Sequence, residues 1–100
     1  MAKFFFTNKA VEDLTDIWNY TYDTWSEKQA DAYYGMLLDY CRKIAENPEL
    51  SGKRYDEIRN GLRGIKAGKH IIFYWMVQTG DIEIIRILHG NMDIPNRLTE

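Results

Sequence analysis

Two apolar stripes at helical spacing, joined by a link short enough to reverse the chain, constrain this sequence more than any other feature. The first places Val11, Leu14, Trp18, Tyr22 and Trp25 at three- and four-residue steps, with Ile17 beside them. Glu12, Asp13, Asp16, Asn19 and Asp23 fall mostly off that stripe, as on an amphipathic helix. The second carries Ala30, Tyr33, Tyr34, Leu37, Leu38, Cys41, Ile44 and Ala45. Between them, Ser26-Glu27-Lys28-Gln29 reads as a capping box, the serine covering a free backbone N–H and the glutamine reaching back. Pro48 cannot continue the second helix, and it pushes Asn47 out of helical geometry. An antiparallel helical hairpin is therefore expected.

The rest of the chain alternates like a sheet. Lys3 to Phe6 reads as a short strand, after which Thr7 or Asn8 can cap the first helix. Residues 48–61 are polar and read as a loop with a turn of helix near Tyr55–Ile58. Leu62–Ala67 reads as a strand ending at Gly68. His70–Val77 is β-branched, aromatic and apolar on both faces, which marks a central strand. Thr79-Gly80-Asp81 supplies a turn and Ile82–Leu88 returns. Asp93 is placed to cap a short turn through Leu98. One hundred residues hold one core. The expected fold is thus a single α+β domain over residues 1–100: an N-terminal strand, the hairpin, and a three-stranded antiparallel sheet with the hairpin on one face.

Several classes are argued against by counting. The longest apolar run, Ile71–Val77, has seven residues against the ~20 of a membrane-spanning helix. The apolar stretch at the N-terminus is too short for a signal peptide. A single cysteine, Cys41, excludes an internal disulfide and a Cys-rich zinc site, so a cytoplasmic protein is expected. Net charge is −2, but it is unevenly spread: residues 1–50 carry five basic and nine acidic side chains, and residues 51–100 carry eight and six. Lys53, Arg54, Arg59, Arg63, Lys66 and Lys69 crowd residues 51–70, a patch suited either to solvent or to an acidic or phosphate-bearing partner.

Catalytic signals are thin. His70 and His89 are the only histidines and lack metal-ligand spacing, so no metal or cofactor is expected. His89, beside Gly90 at a strand end, has a suitable intrinsic pKa for acid–base work. Cys41 lies within an apolar stripe and reads as a core residue. Gly61, Gly64 and Gly68 lack the Lys-Ser/Thr of a phosphate loop and read as turn and close-packing residues. The aromatic stripes read as core by default. Even so, 14 aromatics exceed what one small core must hold, which leaves some for a groove receiving an amphipathic helix.

Ordered segments along the chain carry a resemblance. Ala10-Val11-Glu12-Asp13-Leu14-Thr15-Asp16-Ile17-Trp18-Asn19-Tyr20 resembles the opening A-x-x-D-L-x-x-I-W-x-Y of ParE toxins. Trp25 to Ala30 resembles their helix-to-helix turn, and Ala45 to Pro48 their second-helix exit. Arg59-Asn60-Gly61-Leu62-Arg63 and Gly68 to Tyr74 resemble their central strands, and Ile84 to Asp93 their closing segment. The match runs from about residue 4 to residue 98.

The resemblance implies a growth-inhibiting toxin of a type II toxin–antitoxin module in the RelE/ParE superfamily, with a role such as plasmid stabilisation. It implies DNA gyrase as target, stalled on cleaved DNA without enzymatic turnover. It also implies neutralisation by a ParD-like antitoxin whose other half binds the operon, so no sequence-specific DNA binding is expected of this chain alone. Arg59, Arg63, Lys69, His89, Met92 and Arg97 are the candidates for target binding, chosen for charge. Charge reversal at Arg59 with Arg63 is expected to reduce toxicity and leave stability nearly unchanged. Trp18, Tyr22 and Trp25 are the antitoxin-binding candidates. The alternative is a ribosome-dependent mRNA endoribonuclease of the RelE type using His89 with Arg63 and Arg86. Against it, Met92 stands near the position of a late arginine and no tyrosine follows Tyr74.

Overall fold

The computed structural model describes residues 3–91 and 94–98. In chain order it contains β1 (Phe4–Phe6), α1 (Asn8–Thr24), α2 (Glu27–Glu46), α3 (Pro48–Ser51), β2 (Lys53–Arg54), β3 (Arg63–Ala67), β4 (His70–Met76), β5 (Ile82–His89) and α4 (Ile94–Leu98). Thr7 is the N-cap of α1, its hydroxyl accepting the Ala10 N–H at 3.1 Å. Ser26 caps α2 by accepting the Gln29 N–H at 3.0 Å, although Gln29 makes no return bond among the described residues. Pro48 sits at the first turn of α3, where its missing N–H costs nothing.

The expected three-stranded antiparallel sheet is corrected to a five-stranded mixed sheet in the order β1-β5-β4-β3-β2. β3, β4 and β5 form the antiparallel meander, and β2 adds to its far edge. β1 lies parallel to β5, with Phe4 opposite Ile82 and Phe6 opposite Ile84. The reason is the open edge of the last strand. A three-residue strand cannot stand alone, and the hairpin that follows it covers one sheet face, which delivers β1 to that edge. Thr7 extends the pairing by donating its N–H to Ile84 O and its hydroxyl to Ile85 O. A β-bulge places Phe73 opposite Arg86 and Tyr74 opposite Ile84, leaving Ile85 as the extra residue.

Both faces of the sheet are covered. Ala10, Leu14, Leu37, Cys41, Ile44, Ile72, Tyr74, Ile82, Ile84 and Ile87 make the core under the hairpin. Leu62, Phe73 and Leu88 make a smaller core on the opposite face, flanked by Tyr55, Ile58, Trp75, Ile94 and Leu98. Thus segment 55–62 and α4 close the second face of the strand read as apolar on both sides. Burial pushes the Cys41 thiol up to about 12, consistent with a core residue and not with a nucleophile. Gly68, with φ +61°, makes the β3–β4 turn where a Cβ would meet the Tyr33 hydroxyl at 2.8 Å. No described helix is long and apolar enough to cross a membrane.

One reading of α1 needs correction. Its buried residues are Ala10, Leu14 and Thr21, with Ile17 packed beside them. The core-facing line is therefore rotated away from the aromatic stripe, because small Ala10 and Thr21 let the helix approach the sheet closely. Thr21 satisfies its hydroxyl on Ile17 O at 2.8 Å. Val11, Tyr22 and Trp25 are left outside, with Trp25 72% exposed and Tyr22 48% exposed.

Candidate functional site

The sequence candidates separate onto three regions. On the hairpin, the Trp18 and Tyr22 rings stack with centroids 5.2 Å apart, and the Trp18 indole donates to Asp31 of α2 at 3.1 Å. Trp25 follows at the C-cap of α1. Trp18 also lines an apolar groove of about 320 Å³ with Phe6, Val11, Leu14, Thr15 and Tyr34. The three aromatics named from sequence thus occupy one flank of α1, half-buried or exposed, with an apolar depression beside them.

The second region is the end of the sheet where β4 pairs with β5. His70 lies opposite His89, their ring centroids 5.4 Å apart. Tyr33 of α2 reaches this end: its hydroxyl accepts the Lys69 N–H at 3.0 Å and lies 2.6 Å from His70 Nδ1. Its remaining carbonyl contact, to Ala67 O, is 3.5 Å long. The hydroxyl proton is therefore assigned to His70 Nδ1, which leaves the His70 proton on Nε2. His89 Nδ1 accepts the Asn91 N–H at 3.2 Å, so its neutral form also carries the proton on Nε2. Burial, then the neighbouring His89, push His70 down to about 4 against an opposing pull from Asp13. His70 is neutral at pH 7.

Lys69 is exposed in the turn before His70, and its carbonyl accepts the Gly90 N–H at 3.1 Å. Arg97 of α4 lines a cavity of about 180 Å³ here together with Asp13, Asp16, His70, Arg86 and His89. Of the target-binding candidates, Lys69, His89 and Arg97 are brought together. Met92 lies outside the described residues, as does Asp93.

Arg59 and Arg63 are elsewhere, and both are engaged by the protein itself. The Arg59 guanidinium lies 4.3 Å from the centre of the Trp75 ring, while the Trp75 indole donates to Glu83 at 2.7 Å. Arg63 donates to Glu49 O at 2.9 Å and Gly52 O at 3.2 Å. Beside it the Tyr74 hydroxyl donates to Pro48 O at 2.9 Å, so the two side chains fasten the α3 segment to the sheet. The expectation that reversing Arg59 with Arg63 leaves stability unchanged is withdrawn, because Arg63→Glu leaves two carbonyls without their donor.

The residues proposed for mRNA cleavage do not assemble. Arg63 pairs with Tyr74 and Ala67 with His70, so Arg63 stands four residues along the strand from the histidine pair. At ~3.3 Å per residue that is roughly 13 Å. Arg86 shares the cavity with His89, but its Nε and one Nη hold the Asp13 carboxylate at 2.8 and 3.0 Å. Another Nη donates to Arg97 O at 3.0 Å. Among the described residues no group of His, Cys, Asp or Glu is placed to hold a metal ion.

Sequence reasoning missed the Asp13–Arg86 pair and the role of Tyr33. No spacing signals either, since 73 positions separate the first pair and 37 separate Tyr33 from His70. The histidine pair carries a pH prediction. His70 is neutral when folded, with its pKa held below the unfolded value of ~6.5, so unfolding takes up a proton between those values. The stabilisation is complete above pH ~6.5 and is lost as pH falls towards 4, on the order of 2 kcal/mol after discounting for partial exposure. Urea titrations from pH 7.5 to 4 should show this slope, and His70→Gln should flatten it. An equal slope in that variant contradicts the assignment.

The family model described as "ParE toxin of type II toxin-antitoxin system, parDE" matches residues 4–94. Toxin ParE1 of Mycobacterium tuberculosis (strain H37Rv) is 36% identical over 97 residues, covering 97% of this chain and 98% of that protein. Toxin ParE1 of Caulobacter vibrioides is 34% identical over 93 residues, covering 93% and 94%. A solved structure of a chromosomal ParDE toxin–antitoxin system from P. aeruginosa superposes with TM-score 0.77 at 19% identity, over 89% of this chain and 96% of that one. A chain of the M. tuberculosis toxin–antitoxin complex RelBE2 superposes with TM-score 0.63 at 17% identity, over 88% and 96%. At those identities the structural likeness speaks for the fold.

Proposed function

The chain belongs to the ParE toxin family of type II toxin–antitoxin systems, and from that membership we propose that it inhibits growth by binding DNA gyrase and trapping the enzyme on cleaved DNA. A ParD-like antitoxin holds it inactive in the cytoplasm by covering the hairpin. The observation that carries this reading is the near full-length match to ParE toxins. The chemistry of the sheet end supports the non-catalytic part. Lys69, His89 and Arg97 offer cations and N–H donors to an acidic or DNA-bearing target. The neighbouring histidine is neutral at pH 7, and Arg86 is engaged by Asp13.

The second reading, mRNA cleavage on the ribosome, keeps one supporting observation: His89, Arg86 and Arg97 line the same cavity. A general acid at His89 with two guanidinium groups nearby is the kind of set that phosphodiester cleavage uses. Induced expression in cells separates the readings. Gyrase poisoning predicts growth arrest with chromosome breaks and intact mRNA, relieved by co-expression of the neighbouring gene. Arrest with cleaved mRNA and unbroken DNA favours the nuclease. Harmless expression of the folded chain removes both and leaves a fold that has lost its toxicity.

A further inference from the structure

The apolar groove beside α1 does not end at its apolar residues. Through Val11 and Thr15 it runs into a second depression of about 360 Å³ lined by Glu12, Asp13 and Asp16. None of the residues lining the first depression is charged. In the second, Arg86 is engaged by Asp13, while Glu12 and Asp16 are both exposed. Neither of these two makes a hydrogen bond or ion pair among the described residues. They are four apart on one helix, a like-charge spacing that disfavours the helix unless something neutralises it. α1 offers no relief of its own, because its single basic residue is Lys9.

The apolar side has the shape of a helix-binding surface. Trp18, Tyr22 and Trp25 recur at four- and three-residue steps and extend the groove wall by about 10 Å along the α1 axis. A helix laid beside α1 meets that row with anchors at i, i+3 or i+4, and i+7. We propose that the occupant is an amphipathic helical segment of the antitoxin whose apolar residues fill the Phe6–Val11–Tyr34 groove and whose flanking lysine or arginine side chains lie against Glu12 and Asp16. The inference rests on the antitoxin reading above and adds the sign of charge that this toxin selects. Apolar contact supplies most of the affinity, and the acidic strip fixes register and rejects segments carrying acidic flanks.

The test measures binding of the purified product of the neighbouring gene to the full-length toxin at two ionic strengths. Glu12→Lys with Asp16→Lys is expected to weaken binding at least ~10-fold near 50 mM salt, with the gap closing to under ~3-fold near 500 mM as screening takes over. Glu12→Gln with Asp16→Asn, which introduces no repulsion, should lose less and guards against a folding defect, read by thermal melting of the same samples. Unchanged or tighter binding of the lysine variant at low salt overturns the cationic flank, whatever the effect of removing aromatics. Failure of the wild-type chain to bind at either salt overturns the antitoxin reading instead.

Discussion

Asp13→Ala should be the most destabilising single change outside the apolar core, costing about 3 kcal/mol, at the low end of what breaking a buried ion pair costs. The carboxylate is nearly enclosed: the Asp13 and Arg86 side chains retain 12% and 13% of their accessible surface. Asp13 accepts three bonds there, two from the Arg86 guanidinium and one from the Ile87 N–H at 3.0 Å. The last of these explains why the pair sits at this place. β1 covers β5 only as far as Ile84, and beyond it the strand edge would be open. Thr7 takes the Ile85 carbonyl, and Asp13, one helical turn and a half further on, takes the Ile87 N–H. Alanine removes the acceptor and leaves a part-buried N–H unmatched. For a domain of this size the melting temperature should fall by roughly 12 °C or more. Replacing both partners, as in Asp13→Leu with Arg86→Met, should recover part of that loss. A loss under ~1 kcal/mol for Asp13→Ala contradicts this account of the edge.

Trp25→Ala should do the opposite, leaving the free toxin intact and damaging its complex. At 72% exposure the indole contributes little to the fold, so the change in stability should stay within about 0.5 kcal/mol. A large aromatic at the centre of an interface is worth about 2 kcal/mol or more when truncated, or roughly 30-fold in affinity. Trp18→Ala should weaken the complex similarly, but it also removes the indole bond to Asp31 and part of the groove wall, so it cannot separate binding from folding. Calorimetric titration of the neighbouring gene's product into wild-type and Trp25→Ala toxin, with melts of each, checks this. Equal affinities together with equal melts remove Trp25 from the interface.

The helices were legible because their information is local. Thr7 and Ser26 cap where the sequence places caps, and Asn47-Pro48 ends α2. The meander followed from β-branched runs and glycine turns. What the sequence hid is what depends on contacts across many positions. The parallel seating of β1 on β5 joins residues 4–6 to 82–84. The rotation of α1 is governed by the space that Ala10 and Thr21 leave, and hydrophobicity alone ranks Trp25 as buried when it is exposed.

The site divides in the same way. The hairpin aromatics share a helix flank, so sequence spacing grouped them correctly. The basic candidates were grouped by charge, and charge does not report distance. Arg59 and Arg63 prove to be held by Trp75 and by backbone carbonyls. Lys69, His89 and Arg97 meet only because β4 pairs with β5 and α4 folds back across Arg86.

The most direct test of the central claim uses purified toxin, gyrase, ATP and a closed circular plasmid, scored for linear DNA after protease treatment. The account predicts linear DNA that depends on gyrase, is suppressed by the antitoxin, and is reduced by Lys69→Glu without loss of the toxin's thermal stability. Relaxed or supercoiled plasmid with no linear product, from toxin that is folded and arrests growth in cells, contradicts it.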